Sequence, residues 1–205
     1  MYALIFLFFL SVAAGKSVQV QDSVQVQVYY ESLCPDSIAF IVNQLYPAFY
    51  TIGSEKILLE LVPWGHASET VVNGSKTFKC QHGAQECYGN KIHSCAIDLY
   101  DVNVSTAFIF CSERSDSPAD DADLQKCAES VDGVLWSEIQ ECITSGKGDE
   151  LLWENGKKTA LIDPGWVPTI VIDGSYSDDN QNAAETEFKS FICDLLGNPT
   201  PACLC

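Results

Sequence analysis

Cys34 stands where alternating valines give way to an apolar helical pattern, and the residue three positions on is Ser37. The stretch Val26-Gln27-Val28-Tyr29-Tyr30-Glu31-Ser32-Leu33-Cys34-Pro35-Asp36-Ser37-Ile38 reads as a strand, a tight turn and a helix start. Proline favours the first helical position, because its missing N–H is one the helix leaves unpaired anyway. Cys34 then falls at or near the N-cap, its sulfur facing free N–H groups and the positive end of the helix dipole. That setting favours a thiolate, the form that attacks a disulfide sulfur. A second cysteine at position 37 would release the product by closing an internal disulfide. Ser37 cannot do so, though its hydroxyl is expected to donate a hydrogen bond to the Cys34 thiolate. Ionised Asp36 acts against that thiolate. The competing reading of Cys34 is a structural half-cystine.

The elements around this turn set its position. Ser17-Val18-Gln19-Val20-Gln21 recurs as Ser23-Val24-Gln25-Val26-Gln27, and the second copy is the expected first strand. Ile38, Ile41, Val42, Leu45 and Phe49 fall at helical spacing, with Pro47 expected to kink or shorten the last turns. Ile57-Leu58-Leu59-Glu60-Leu61-Val62 reads as a strand buried on both faces. Trp166-Val167-Pro168-Thr169-Ile170-Val171-Ile172 is a proline entering a β-branched strand, and a helix is expected over about residues 183–196. Strand, helix, strand, then proline-led strand and helix is the thioredoxin order, an α/β fold. Residues 66–163, roughly, form a helical insertion, with helical patterns near 92–100, 119–131 and 134–144. The sheet needs residues on both sides of that segment, so it is read as an insertion rather than a second domain.

In such a frame the loop before the proline-led strand carries a cis-proline that faces the nucleophilic sulfur. Its backbone pairs with an extended substrate by strand addition. Pro35, Val167 and Pro168 are therefore the expected substrate-binding residues. A trans proline that merely opens a strand is the alternative. A further segment reads Cys80-Gln81-His82-Gly83-Ala84-Gln85-Glu86-Cys87-Tyr88-Gly89-Asn90-Lys91-Ile92-His93-Ser94-Cys95. It resembles the signature of the gamma-interferon-inducible lysosomal thiol reductase family: Cys-Gln-His-Gly, two residues, Glu-Cys, two residues, Asn, four residues, Cys. Every fixed position matches: Cys80, Gln81, His82, Gly83, Glu86, Cys87, Asn90 and Cys95.

The resemblance implies a thioredoxin-like fold with a helical insertion and reduction of protein disulfides in acidic endolysosomal compartments. It implies no metal and no organic cofactor. It carries the nucleophile to Cys34 and leaves the resolving position occupied by serine, a variant also found in the family, particularly among invertebrate members. Cys80, His82, Cys87 and Cys95 do not have the short paired spacing of structural zinc knuckles, and an oxidising compartment would bridge such thiols. The three cysteines are read as structural half-cystines and His82 as a residue shaping their loop. Trp64, Trp136, Trp153 and Trp166 are read as core, with Trp166 able to border the cleft.

Residues 1–15 read as a secretory signal peptide: Leu4-Ile5-Phe6-Leu7-Phe8-Phe9-Leu10, then Ala13-Ala14-Gly15. Residues 16–205 then form one disulfide-rich, thioredoxin-like domain with no membrane span. Asn73-Gly74-Ser75 and Asn103-Val104-Ser105 are glycosylation acceptors. A net charge of −17 argues against nucleic acid as a partner and suits either solubility or residence at low pH. Together these place the chain in the secretory pathway, ending in an endosome or lysosome or outside the cell.

Ten cysteines leave nine once Cys34 is set aside, so at most four bridges form and at least one further thiol is left over. Cys203 or Cys205 could serve as a remote resolving thiol or join two chains as a disulfide-linked dimer. The leading function is a thiol-disulfide oxidoreductase acting on protein disulfides through Cys34, with an external small thiol resolving the intermediate. Within redox chemistry, isomerisation or capture of unfolding chains is the runner-up. The alternative class is a non-catalytic secreted glycoprotein that binds unfolded or disulfide-containing proteins.

Overall fold

A computed structural model describes residues 22–197 and 201–203. The expected signal peptide and the first Ser-Val-Gln-Val-Gln copy lie outside those residues. Strand β1 (Val24–Tyr30) turns Val24, Val26 and Val28 inward with no exposure, so the period-2 pattern is its buried face. The chain then enters α1 (Pro35–Phe40), passes a π-helical turn over Ile41–Leu45, and continues as α2 (Tyr46–Ile52). The wide turn lies just ahead of Pro47, which has no N–H to donate and whose ring crowds the carbonyl four residues back. A local change of hydrogen-bond register lets the helix continue where a regular turn would break.

β2 (Ile57–Pro63) follows, and the insertion opens with a hairpin, β3 (Ser68–Val72) and β4 (Ser75–Lys79). The sequence reading of a helical insertion does not include this hairpin. Asn73 and Gly74 join the strands with φ of 52° and 82°, the paired positive φ values that a two-residue hairpin turn demands. Five helices come next: α3 (Ala84–Leu99), α4 (Val102–Glu113), α5 (Asp121–Ser130), α6 (Trp136–Thr144) and α7 (Lys147–Ile162). Neither α4 nor α7 is expected from the sequence pattern. α4 opens on β-branched residues, and α7 carries Gly156 because the Trp64 ring lies where its Cβ would be, at 2.8 Å.

The chain closes with β5 (Thr169–Ile172) and α8 (Asp178–Leu195). The sheet order is β2-β1-β5, with β1 parallel to β2 and antiparallel to β5. β2 is thus an edge strand, and Leu58 is 45% exposed rather than buried as expected. One cluster of buried side chains runs from Val28 and Ile170 in the sheet to Phe188 in α8 and to Ile92, Phe108 and Ile109 in the insertion.

Four disulfides join Cys80 to Cys87, Cys95 to Cys142, Cys111 to Cys127 and Cys193 to Cys203. Cys203 is therefore committed and is not the remote resolving thiol; Cys205 lies outside the described residues. Among the described residues no helix is long and apolar enough to cross a membrane.

Candidate active site

Cys34 occupies the N-cap of α1, in extended backbone, with Pro35 following at the first helical position. Its N–H reaches back to the Glu31 carbonyl at 3.2 Å, and its carbonyl accepts the Ile38 N–H at 2.9 Å. It is 7% exposed and is the one cysteine among the described residues outside a disulfide. The Cys34 Sγ faces the Val167 carbonyl at 3.7 Å, and the Val167-Pro168 peptide is cis. The fold thus brings the Cys34 turn and the proline loop together from 133 residues apart. Gln181 of α8 fixes that loop: its side chain donates to the Pro168 carbonyl and accepts the Ile170 N–H, both at 2.8 Å.

Ser37 is fully buried. Its Oγ accepts the Glu31 N–H at 3.4 Å; the expected bond to the Cys34 sulfur is not among the hydrogen bonds of the described residues. Asp36 is exposed. Trp166 is 49% exposed and is not core, which corrects that expectation; Trp64 is buried.

The signature segment props up the nucleophile turn. The Cys80–Cys87 disulfide takes both sulfurs out of any metal-ligand role and closes the loop ahead of α3. Gly83 caps α3 with φ 93°, a conformation glycine adopts without cost. Gln81 is exposed. The Glu86 carboxylate accepts the His82 N–H at 2.9 Å and pairs with His82 Nδ1. That Nδ1 lies 3.5 Å from the Glu31 Oε2. The Asn90 Oδ1 accepts the Ser32 N–H at 2.9 Å, while the Ser32 hydroxyl donates to the Glu86 carbonyl at 3.2 Å. Residues 31 and 32, just ahead of Cys34, are therefore clamped to α3. Cys95 anchors the far end of the signature to α6 through Cys142.

Glu31, His82 and Glu86 bring donor atoms within 4.8 Å of one another, a spacing a metal ion could use. His82 Nδ1 stands between the two carboxyls, against Glu86 on one side and Glu31 on the other. Burial is the main cause that raises Glu31 to about 7; the Glu86 charge adds to it, against the His66 N–H and His82.

A second buried polar chain lies behind the turn. The Ser112 hydroxyl donates to the Pro118 carbonyl at 2.7 Å, which uses its single proton. His93 Nε2, 3.0 Å from that oxygen, must then be the donor, and Nδ1 accepts from the Tyr30 hydroxyl at 3.1 Å. Burial holds His93 down to about 3, so it is neutral. Glu113 Oε1 lies 3.6 Å from that Nδ1, and neither carboxyl oxygen has a hydrogen-bond partner. Burial pushes Glu113 well above the ordinary carboxyl range, and negative charge on Cys34 and Glu86 pushes it further. A neutral Glu113 adds no negative charge of its own beside the Cys34 sulfur. Glu31, His93 and Glu113 are absent from the residues proposed from sequence; only Glu31, polar at the end of an apolar strand, carried a local signal.

Asn73 at the hairpin tip and Asn103 in the first turn of α4 are both exposed, as glycan acceptors must be.

The family model described as gamma interferon inducible lysosomal thiol reductase matches residues 25–131. A gamma-interferon-inducible lysosomal thiol reductase of Carassius auratus is 37% identical over 87% of this chain and 71% of its own length. A gamma-interferon-inducible lysosomal thiol reductase-like protein of Anopheles gambiae is 35% identical over 90% of this chain and 81% of its own. Among solved structures, oxidised Mtb DsbA is similar with a TM-score of 0.56 over 95% of this chain and 94% of that one, at 15% identity. That likeness shows the fold, a thioredoxin- and DsbA-like α/β frame. The chain belongs to the gamma-interferon-inducible lysosomal thiol reductase family, and with it to the thiol-disulfide oxidoreductases.

Proposed function

We propose that this protein reduces or isomerises protein disulfides through a single thiol, Cys34, in an acidic endolysosomal or secreted setting. The observation that carries the reading is the unbridged Cys34 sulfur against the Val167 carbonyl beside cis-Pro168, with Ser37 where a second thiol would stand. The Cys34 thiolate attacks one substrate sulfur, forming a mixed disulfide and releasing the other as a thiolate that takes a proton from solvent. An external thiolate then attacks the mixed disulfide, and a second one completes release. Two small thiols end as one small-molecule disulfide, and the substrate gains both electrons. When the released substrate thiol attacks instead, the disulfide is rearranged with no net electron transfer.

The buried setting of Cys34 also favours a second reading, a binding protein whose thiol stays closed. One assay separates the two: reduction of a denatured disulfide protein at about pH 5 with excess small thiol, comparing the native chain with Cys34→Ser. Rate enhancement that disappears in Cys34→Ser supports the catalyst. Equal rates with both folded proteins support the binder.

A further inference from the structure

At Trp166, the residue before Val167 in the chain, the surface opens into a cleft of about 210 Å³, walled by Ile162, Pro164, Trp166 and Tyr176. Pockets that enclose a whole small ligand run from about 300 Å³ upward, so this volume suits one side chain rather than a free metabolite. Its two aromatic walls are unusually open: Trp166 is 49% and Tyr176 is 40% exposed, and they meet edge to face at 6.1 Å. Neighbouring Leu161, at the end of α7, is 86% exposed. Large apolar groups gathered at one rim of a reactive centre mark a binding surface.

The cleft is also firmly built. The Thr169 hydroxyl donates to the Trp166 carbonyl at 2.6 Å, and Gln181 holds Pro168 and Ile170 from below. The Tyr176 hydroxyl donates to Asp178 at 2.9 Å, which sets the ring's direction. Asp163 forms part of the wall, so the rim is acidic as well as apolar.

We propose that this cleft is a subsite of the active centre that takes a bulky apolar side chain, aromatic or branched aliphatic, carried two residues from the reacting cysteine. The inference rests on the reading of Cys34 as the nucleophile. An extended substrate chain lying along Val167 and Pro168 presents alternate side chains to the same face. The cysteine sulfur meets Cys34, and the next side chain on that face falls beside Trp166. Asp163 turns away acidic side chains, so the substrates selected are exposed apolar stretches around a disulfide, as in unfolding proteins.

The test uses short peptides whose cysteine is disulfide-linked to a small thiol, with Phe or Asp placed two residues to either side. The native chain is expected to favour the Phe peptide by roughly tenfold in kcat/KM, carried by KM. Trp166→Ala is expected to shrink that preference in kcat/KM to about twofold or less. An undiminished preference in Trp166→Ala, or none in the native chain, overturns the proposal. A second arm needs no turnover: the Cys34→Ser chain is titrated with the same peptides carrying Ser for Cys, following tryptophan fluorescence against a Trp166→Ala baseline. Phe-selective binding there with no turnover by the native chain sustains the subsite and removes the catalytic reading. Turnover without Phe selectivity removes the subsite alone.

Discussion

Ser37 and Glu113 are the residues that bear most directly on the chemistry proposed for Cys34. Ser37 is enclosed, and its hydroxyl is spent on the Glu31 N–H, so it holds the turn and offers the sulfur no obvious help. A thiol in its place would stand at the position from which a mixed disulfide is resolved. Ser37→Cys is therefore expected to lower the steady-state mixed disulfide with substrate by at least about tenfold, read by intact mass after acid quenching. Persistence of the adduct at native levels would show that position 37 cannot reach the sulfur. The Cys34 turn was legible from sequence because its signals are local: a period-2 strand, a proline at the first helical position, a cysteine between them. Glu113 was not. Its meaning comes from meeting Cys34, Glu86 and His93 across separate helices, and a glutamate at a helix end looks like any solvated charge.

Helix α3 is more than the carrier of a disulfide loop. Through Asn90, Glu86 and His82 it grips Ser32 and Glu31, and so fixes the stretch that leads into Cys34. Gly89 makes the approach close: a Cβ there would stand 2.5 Å from the Ser32 Oγ and 3.0 Å from the Ala119 Cβ. Alanine normally improves a helix interior by about 1 kcal/mol over glycine. Here Gly89→Ala is expected to cost about 1–3 kcal/mol in urea unfolding and to slow disulfide reduction as the turn shifts. A more stable variant with full activity would refute the clamp. The signature's eight fixed residues were visible in sequence, yet their contacts with residues 31 and 32 were not, since nothing local ties α3 to the end of β1. The β3–β4 hairpin is the opposite case. Val71-Val72-Asn73-Gly74 carried a hairpin signal, but Asn73-Gly74-Ser75 also spells a glycan acceptor, and the two uses of the same residues are compatible.

Across the whole molecule, the buried titratable groups set an acid-side stability optimum. Glu31 rises from 4.5 to about 7, so the folded state keeps a proton the unfolded chain sheds in that window, and stability falls as pH rises through it. Glu113 acts in the same direction. His93 drops from 6.5 to about 3 and acts oppositely: the unfolded chain takes up a proton that the folded state refuses, so stability falls on acidification through that range. Between 4.5 and 6.5 two raised carboxyls oppose one imidazole; below 4.5 the imidazole and the lowered Glu60 carboxyl both favour higher pH. The urea midpoint is expected to peak near pH 4.5 and to decline toward neutrality, with Glu113→Gln flattening the neutral limb. A midpoint climbing steadily to about pH 7.5 would contradict this account. The four bridges bear on another matter. Cys80, Cys87, Cys95, Cys127, Cys142 and Cys193 are buried while Cys111 and Cys203 are half-buried, and thiolate attack on a disulfide needs access to sulfur. Under the chemistry proposed for Cys34, the Cys80–Cys87 and Cys95–Cys142 bridges, with both sulfurs covered, are the ones shielded from the reductant and from neighbouring copies. On that proposal, clients would be told from siblings by whether their cross-links have come to the surface.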